Sequence, residues 1–262
     1  PESIKIVLKG EFSEHVSGKD LMLRIIGDLG MDGATYMALE FTGPGVASVP
    51  VPDRFSISNM AIEAGGKAGL FPYDSVAEEF AKGRARGGYE GVNADPSAEY
   101  ARILEYDLSQ IVPMVAVPPR PDGALEAAKC DVPIDQAYLG SCTNGRIEDM
   151  RVAAKILKGK KVAPGVRMIV VPASVDVHRK MSVEGLMEVF LDAGAFVSGP
   201  TCGACLGGHM GILSDGEVAV SSTNRNFIGR MGHPGSKVYL ASPATVAASA
   251  LAGRICDPGE LE

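Results

Sequence analysis

The sequence predicts an α/β protein built from two domains, and two observations support this prediction. Short β-branched runs alternate with segments of helical periodicity along nearly the whole chain, a pattern typical of parallel α/β architecture. A proline-rich stretch interrupts the alternation near its middle. With 262 residues, of which 46% are hydrophobic, the chain can bury a sizeable core in one large or two medium domains.

The first half opens on a β-branched run and alternates from there. Runs rich in Ile, Val and Leu predict strands, and apolar residues at helical spacing predict helices. The predicted elements are, in order, a strand over Ile4–Leu8, a helix over Lys19–Leu29, a strand over Tyr36–Phe41, a helix over Ser56–Lys67, and helices near Ser75–Lys82 and Ala98–Ser109.

The proline-rich stretch predicts a linker. Prolines are dense between Pro113 and Pro133, and such density is incompatible with an ordinary helix or central strand. We place the linker at Pro113–Gly123 and predict one domain over residues 1–118 and a second over residues 119–262.

The second half repeats the alternation of strands and helices. The predicted elements are, in order, strand Gln136–Gly140, helix Ile147–Leu157, strand Val166–Val171, helix Val183–Ala193, strand Ala195–Val197, strand Glu217–Ser221, strand Lys237–Ala241 and helix Pro243–Ala252.

Composition excludes several classes of function. A net charge of -7 makes nucleic acid an unfavoured partner, because no general basic surface is available for phosphates. No apolar run approaches the roughly 18 residues of a membrane span, and the N-terminus lacks the plan of a signal peptide. We therefore expect a cytoplasmic protein. The start at Pro1, without an initiator methionine, indicates a piece of a longer chain.

The cysteines indicate metal binding or catalysis. Five cysteines, an odd number, argue against a disulfide framework. Cys202 and Cys205 lie three apart in GPTCGACLGG, and Cys142 lies in GSCTNG. These segments, together with NRNFIGR at residues 224–230, each follow a predicted strand. Because open α/β sheets bind ligands beyond the carboxyl ends of their strands, we expect the three segments to form one site.

The C-x-x-C pair alone leaves several interpretations open. A redox dithiol, half of a zinc site and a pair of inert thiols all fit Cys202 and Cys205. With Cys142 as a third thiolate, a cubane iron-sulfur cluster becomes the better interpretation. Such a cluster takes four ligands, so one iron would lack a protein ligand and could act as a Lewis acid on a substrate hydroxyl and carboxylate.

Four polar side chains complete the candidate site. Arg225 and Arg230 offer guanidinium groups that match a carboxylate in a bidentate manner, although a loop arginine is often a solvated surface residue. Asn59 and Glu63 lie four apart and share one face of a predicted helix. Glu63 is a candidate proton relay, and an exposed helix carboxylate is the alternative.

Four motifs in order, YLGSCTNGRIEDM, GPTCGACLGGHMG, STNRNFIGR and YLASPATVAASALAG, resemble the aconitase superfamily. Within it they are similar to the large subunits of the isopropylmalate and homoaconitate branches. The resemblance spans the whole chain and implies two three-layer α/β/α domains, the second and third of the family. It also implies a 4Fe-4S cluster with one iron not ligated by protein. The residues it assigns are Cys142, Cys202 and Cys205 as cluster ligands, Asn59, Glu63 and Asn224 as neighbours of the cluster, and Arg225 and Arg230 as substrate-carboxylate ligands.

The resemblance further implies a hydro-lyase component. The family reaction moves a hydroxyl between adjacent carbons of a 2-hydroxy acid by dehydration and rehydration. We expect 3-isopropylmalate as substrate, in leucine biosynthesis, with homocitrate or citrate as alternatives. A small, swivelling-domain subunit is the expected partner, in a heterodimer or heterotetramer. The family's N-terminal domain has no counterpart here, so we expect no turnover by this chain alone. Glu40 is interpreted as structural, and Cys130 and Cys256 as ordinary thiols.

Two functions from other classes stay open at this point. Some aconitase relatives without a cluster bind RNA, so a regulatory RNA-binding protein is one alternative, which the acidic balance disfavours. A thiol-disulfide oxidoreductase that uses Cys202 and Cys205 is the other, and it would leave Cys142 dispensable.

Overall fold

A computed structural model of the protein describes residues 1–261, which form two β-sheets with helices packed against them. The strands are β1 Ser3–Lys9, β2 Ala38–Thr42, β3 Ala68–Leu70, β4 Arg102–Asp107, β5 Met114–Ala116, β6 Ala124–Glu126, β7 Gln136–Gly140, β8 Arg167–Val171, β9 Phe196–Val197, β10 Val218–Ser221 and β11 Lys237–Ala241. The helices are α1 Gly18–Leu29, α2 Val51–Met60, α3 Ser75–Ala81, α4 Ile147–Leu157, α5 Val175–Val183, α6 Leu186–Ala193 and α7 Pro243–Ala252. Single turns of 3₁₀ helix cover Pro44–Ser48, Ala61–Ala64, Leu108–Gln110, Ala127–Lys129, Gly203–Leu206 and Pro258–Leu261.

The first sheet has four parallel strands in the order β3-β2-β1-β4. Its central strand β1 alternates buried and half-buried residues, with Ile4, Ile6 and Leu8 fully buried on one face. Helices α1 and α2 pack against each other, and α1 begins with a capping box in which Ser17 and Asp20 satisfy each other's backbone donors.

The second sheet has seven strands in the order β6-β5-β11-β10-β7-β8-β9. The five strands from β11 to β9 are parallel, whereas β5 and β6 pair antiparallel at one edge. From β7 the chain proceeds outward through β8 and β9, and then returns to the other side of β7 as β10. The strand order therefore reverses between β7 and β10, which is where such sheets bind ligands.

Two apolar cores hold these layers together. One core contains Ile4, Ile6 and Leu8 of the first sheet, the buried face of α1, and residues of the second sheet such as Tyr138 and Leu240. Because this core contains side chains from both sheets, it joins the two halves of the chain. The other core lies between the opposite face of the second sheet and helices α4 to α7. No helix among residues 1–261 is long and apolar enough to cross a membrane.

The helix predicted near Ala98–Ser109 is wrong. Residues Arg102–Asp107 form β4, which pairs in parallel with β1, and only Leu108–Gln110 make a helical turn. The segment alternates exposed and half-buried residues, which is the period of a strand. Tertiary pairing with the buried central strand overrides its helical composition.

Three further predictions differ from the structure. The helix expected over Ser56–Lys67 is α2, which begins at Val51 with a proline in its first turn, and it tightens to 3₁₀ geometry after Met60. The helix expected over Val183–Ala193 is divided, because Gly185 adopts φ 73° between α5 and α6. Helix α5 itself was not predicted.

The predicted linker contains a strand. Met114–Ala116 within it pairs antiparallel with β11 on one side and with β6 on the other, and a strand is tolerated among prolines here because none of these three residues is a proline. This strand lies before the proposed boundary between residues 118 and 119, although it belongs to the second sheet. The division of the chain at that boundary stays a prediction.

Candidate functional site

The sequence-predicted site residues lie at the carboxyl edge of the second sheet and on the facing end of α2. Cys142 follows β7 and Asn224 follows β10, the two strands at which the strand order reverses. Cys202 and Cys205 follow β9, at the same edge. The topology therefore brings all three sequence segments to the crevice where open α/β sheets bind ligands.

The turn that carries Cys142 has an unusual backbone. Gly140 has φ 125°, and a Cβ there would lie 1.9 Å from the Val171 carbonyl oxygen, so only glycine fits. Ser141 has φ 65°, a left-handed conformation that is uncommon for a residue with a side chain. This sharp turn leaves Cys142 exposed at the end of the strand.

Helix α2 of the first half holds the Cys142 turn from the other side. Ser56 Oγ donates to the Thr143 carbonyl oxygen at 2.8 Å, and Thr143 Oγ1 donates to Asn59 Oδ1 at 3.1 Å. Asn144 Nδ2 donates to Ser56 Oγ at 3.3 Å and to Asp149 Oδ1 at 3.1 Å. Asn59, predicted as a neighbour of the cluster, thus contacts the residue beside Cys142.

The C-x-x-C turn is built from a 3₁₀ turn and glycines. Gly203 has φ 54°, and a Cβ at this position would lie 2.8 Å from the Tyr138 hydroxyl. That hydroxyl donates to the Cys202 carbonyl oxygen at 2.8 Å, which ties the turn to β7. Cys202 is exposed and Cys205 is buried.

The three cysteines lie close enough to influence one another electrostatically. Burial raises the pKa of Cys205 above its usual value, and the neighbouring Cys202 and Cys142 raise it further. Burial likewise raises the pKa of Tyr138, with further contributions from all three cysteines. Since a charge on any of these sulfurs affects the others, the three thiols occupy one electrostatic environment.

Glu63 connects the first half of the chain to the NRNFIGR segment. Its Oε1 accepts from Arg225 Nε at 2.8 Å and from Asn224 Nδ2 at 2.9 Å. The Glu63 side chain is 3% exposed and that of Arg225 is 34% exposed. Burial raises the pKa of Glu63, and the positive charge and hydrogen bond of Arg225 oppose this effect. The sequence alternative, an exposed helix carboxylate, is therefore wrong for Glu63.

One buried polar atom near the cysteines, Arg230 Nε, has no hydrogen-bond partner within residues 1–261. Arg230 lies close enough to Cys205 for its charge to favour the thiolate, and a hydrogen bond from the Ser141 side chain favours it as well. Buried polar atoms are normally hydrogen-bonded, so Arg230 Nε indicates that a further polar or anionic group belongs beside Cys205.

The side chains at this site fit an iron-sulfur cluster better than a single metal ion. Among the residues that the structure describes, no three His, Cys, Asp or Glu side chains are spaced to hold a single metal ion. Three thiols that influence one another electrostatically, with glycine backbone beside two of them, fit the larger iron-sulfur cubane better than a single ion. The unpartnered Arg230 Nε is available to such a group.

Two residues at the site were not predicted from the sequence. Ser56 holds the Cys142 turn, and the fully buried Lys19 donates from Nζ to the Ser222 carbonyl oxygen at 3.0 Å. Both contacts join residues more than 80 positions apart. No local pattern could have indicated them, because a serine in a helix and a lysine in a first turn are usually exposed.

A protein-family model matches nearly the whole chain. A model of the aconitase family (aconitate hydratase) matches residues 1–131 and 125–253. The chain belongs to the aconitase family. The aconitase-type α/β fold implied by the sequence motifs is thereby confirmed.

Curated relatives are similar along the entire chain. The 3-isopropylmalate dehydratase large subunit of Syntrophus aciditrophicus (strain SB) is 55% identical over 263 residues, which cover 100% of this chain and 63% of the relative. The protein of the same name from Desulfatibacillum aliphaticivorans is 53% identical over 262 residues, 100% of this chain and 62% of the relative. The chain spans about three-fifths of the length of these relatives.

A solved structure is more distant. Aconitase X of Thermococcus kodakaraensis, in its holo-form, is 10% identical, with a TM-score of 0.47 over 86% of this chain and 49% of the other. This likeness is too weak to add to the family assignment.

Proposed function

We propose that the chain is the cluster-bearing part of a hydro-lyase of the 3-isopropylmalate dehydratase type, which interconverts 3-isopropylmalate and 2-isopropylmalate. The observation that carries the proposal is that Cys142, Cys202 and Cys205 follow strands at one edge of the second sheet, the edge that also carries Arg225 in its ion pair with Glu63. The names of the curated relatives support the same activity, and the words "large subunit" in those names support a small-subunit partner.

The three thiols would hold a 4Fe-4S cluster through three of its irons. When bound, such a cluster supplies a Lewis acid at the fourth iron, which polarises a hydroxyl leaving group. The electrostatic effect of Cys142 on Cys205 supports this use over a dithiol oxidoreductase, which would need Cys202 and Cys205 alone.

Arg225 would bind a substrate carboxylate, and Glu63 would transfer a proton to or from the substrate. Arg225 uses Nε on Glu63 and leaves its two terminal nitrogens to face a substrate carboxylate, in the bidentate geometry that guanidinium groups prefer. Glu63 would hold a proton at Oε2, because its Oε1 already accepts both hydrogen bonds. Burial raises its pKa, which favours proton exchange closer to neutral pH. Asn59 would keep the Cys142 turn in place through Thr143.

The decisive experiment is anaerobic reconstitution with iron and sulfide, followed by iron and sulfide analysis and electron paramagnetic resonance. We expect about four irons and four sulfides per chain, falling to about three irons on mild oxidation. Cys142→Ser, Cys202→Ser and Cys205→Ser should each lower the iron content sharply. Cys130→Ala and Cys256→Ala serve as matched controls, because both thiols are buried in the core away from the site.

A different composition would contradict the proposal. A chain that binds one zinc and no sulfide would point to a single-ion site instead. Equal iron in the Cys142→Ser variant and the parent would show that the C-x-x-C pair works without Cys142. Homocitrate and citrate are the alternative substrates, and binding of each to the reconstituted protein, measured beside 3-isopropylmalate, would separate them.

A further inference from the structure

We propose that Lys19, a fully buried lysine in the first turn of α1, is a positioning residue for the site: its ammonium group fixes the backbone that carries Asn224 and Arg225. The role of Lys19 in catalysis rests on the proposed function, whereas its role in fixing the backbone rests on its observed contacts. No motif used to identify the family includes this residue.

The contacts of Lys19 reach across the molecule. The side chain is 0% exposed. Its Nζ donates to the Ser222 carbonyl oxygen at 3.0 Å and to the Thr223 carbonyl oxygen. These two residues follow β10 directly and precede Asn224 and Arg225. One side chain of the first half therefore holds the turn from which both partners of Glu63 project.

Ser222, which Lys19 contacts, also contacts the strand that leads to the Cys142 turn. Ser222 Oγ accepts from the Gly140 backbone amide at 2.8 Å, and the Ser222 amide donates to the Tyr138 carbonyl oxygen at 3.0 Å. Gly140 ends β7, two residues before Cys142. Displacement of Ser222 would therefore move the arginine segment and the cysteine turn together.

The buried ammonium group interacts with backbone carbonyls and with nearby carboxylates. Its hydrogen bonds go to two neutral carbonyl oxygens. Burying a cation is costly, and burial lowers the pKa of Lys19 to about 8. The negative charges of Asp20 and Asp149, and to a smaller extent those of Cys205 and Glu63, oppose that shift, and the ammonium in turn favours the charged form of Glu63.

A second buried cation provides a matched control. Arg54 in α2 is 4% exposed and donates to the backbone carbonyls of Val46 at 3.0 Å and Val49 at 2.9 Å. It also pairs with Asp74. None of these partners belongs to the β10 or β7 turns, so Arg54→Met removes a buried cation with carbonyl partners and leaves the site contacts intact.

The experiment compares Lys19→Met with Arg54→Met and the parent. In the cluster-free chain, hydrogen exchange of the peptide spanning residues 221–226 should be about tenfold faster in Lys19→Met, because charge-assisted hydrogen bonds to two carbonyls are lost. In the reconstituted chain, iron loss to a chelator should also be about tenfold faster, and the resonance line shape of the oxidised cluster should change. Arg54→Met should leave exchange at 221–226, iron loss and line shape as in the parent.

Unchanged exchange and unchanged line shape in Lys19→Met would overturn the inference, as would equal changes in Arg54→Met. If Lys19→Met does not fold, Lys19→Gln replaces it. The glutamine amide keeps a hydrogen-bond donor, but the side chain lacks the positive charge and is shorter. Hydrogen exchange and iron loss equal to those of the parent in Lys19→Gln would also count against the inference. If the parent itself forms no cluster, the proposed function fails, while the exchange measurement still tests the position of Lys19.

Discussion

Glu63 and Arg225 form an ion pair of 2.8 Å between the two halves of the chain, at the sheet edge that also carries the three cysteines. The carboxylate comes from the turn after α2, and the guanidinium from the turn after β10. Because Glu63 is almost fully buried and Arg225 is partly exposed, the pair fixes the base of the arginine and leaves its end free. The ion pair therefore fixes Glu63, the proposed proton-transferring group, next to Arg225, the proposed carboxylate-binding group.

Neutralising Glu63 tests its part in this pair. In Glu63→Gln the Oε1 acceptor stays and the charge is lost, so we expect a decrease of about 1 kcal/mol in the free energy of unfolding, measured with urea. Turnover by the assembled enzyme should fall by about 100-fold or more, because a proton relay is removed. Glu217→Gln is the control, since Glu217 pairs with Arg167 elsewhere in the sheet. A Glu63→Gln enzyme with parental turnover would exclude a proton-transfer role.

Shortening the guanidinium tests substrate binding. Arg225→Lys keeps the positive charge and replaces a bidentate fork with a point charge, so we expect at least about tenfold weaker binding of 3-isopropylmalate. The iron content of the reconstituted protein should not change. Arg167→Lys, in a solvent-exposed pair with Glu217, should affect neither quantity. Parental affinity in Arg225→Lys would return Arg225 to the class of solvated loop arginines.

The fold class could be predicted from the sequence, whereas the roles of the site residues stay predictions. Thiol and guanidinium groups are chemically specific, so Cys142, Cys205 and Arg225 stood out in the sequence, and the structure places all three after strands of the second sheet. Lys19 could not be predicted in this way. Its role depends on a partner 203 residues away, and a lysine before an apolar helix is normally exposed.

The errors in the fold have similar physical causes. Arg102–Asp107 has the composition of a helix but forms a strand, because β1 offers it a parallel partner. Met114–Ala116 lies among prolines and still forms a strand between β6 and β11. Both outcomes depend on pairing with a distant strand, and local propensity contains no information about such partners.

Two substitutions of Ser141 can separate the effect of its strained backbone from the effect of its hydroxyl. Ser141 has φ 65°, which costs about 1 kcal/mol for a residue with a Cβ. We expect Ser141→Gly to raise the free energy of unfolding of the cluster-free chain by up to about 1 kcal/mol, and Ser141→Ala to leave it nearly unchanged. Both variants lose the hydroxyl, so both should lose iron faster than the parent if Ser141 Oγ contacts the cluster. Faster loss in only one of them would assign the effect to the backbone.

Stability should fall as pH rises through a cluster of three carboxylates, of which one is buried and two are half-buried. Asp20, Asp53 and Asp149 lie in the first turns of α1, α2 and α4, and Asp53 and Asp149 line a cavity of about 300 Å³ between these helices. Burial raises the pKa of Asp20 to about 6, of Asp149 to about 6 and of Asp53 to about 7, from an ordinary 3.8. The folded state therefore binds more protons than the unfolded state between about pH 4 and pH 7.

The sign of the resulting pH dependence follows from this difference. The stabilisation by protonated Asp53 is fully present below about pH 4 and is lost as pH rises through 7. Asp53→Asn should remove this loss and so gain about 2 kcal/mol in stability over the parent between pH 4 and pH 8, a value reduced for the partial exposure of Asp53. Urea unfolding of the cluster-free parent and variant at several pH values measures the difference. A difference that stays constant across the range would mean that the pKa of Asp53 is not raised in the folded state.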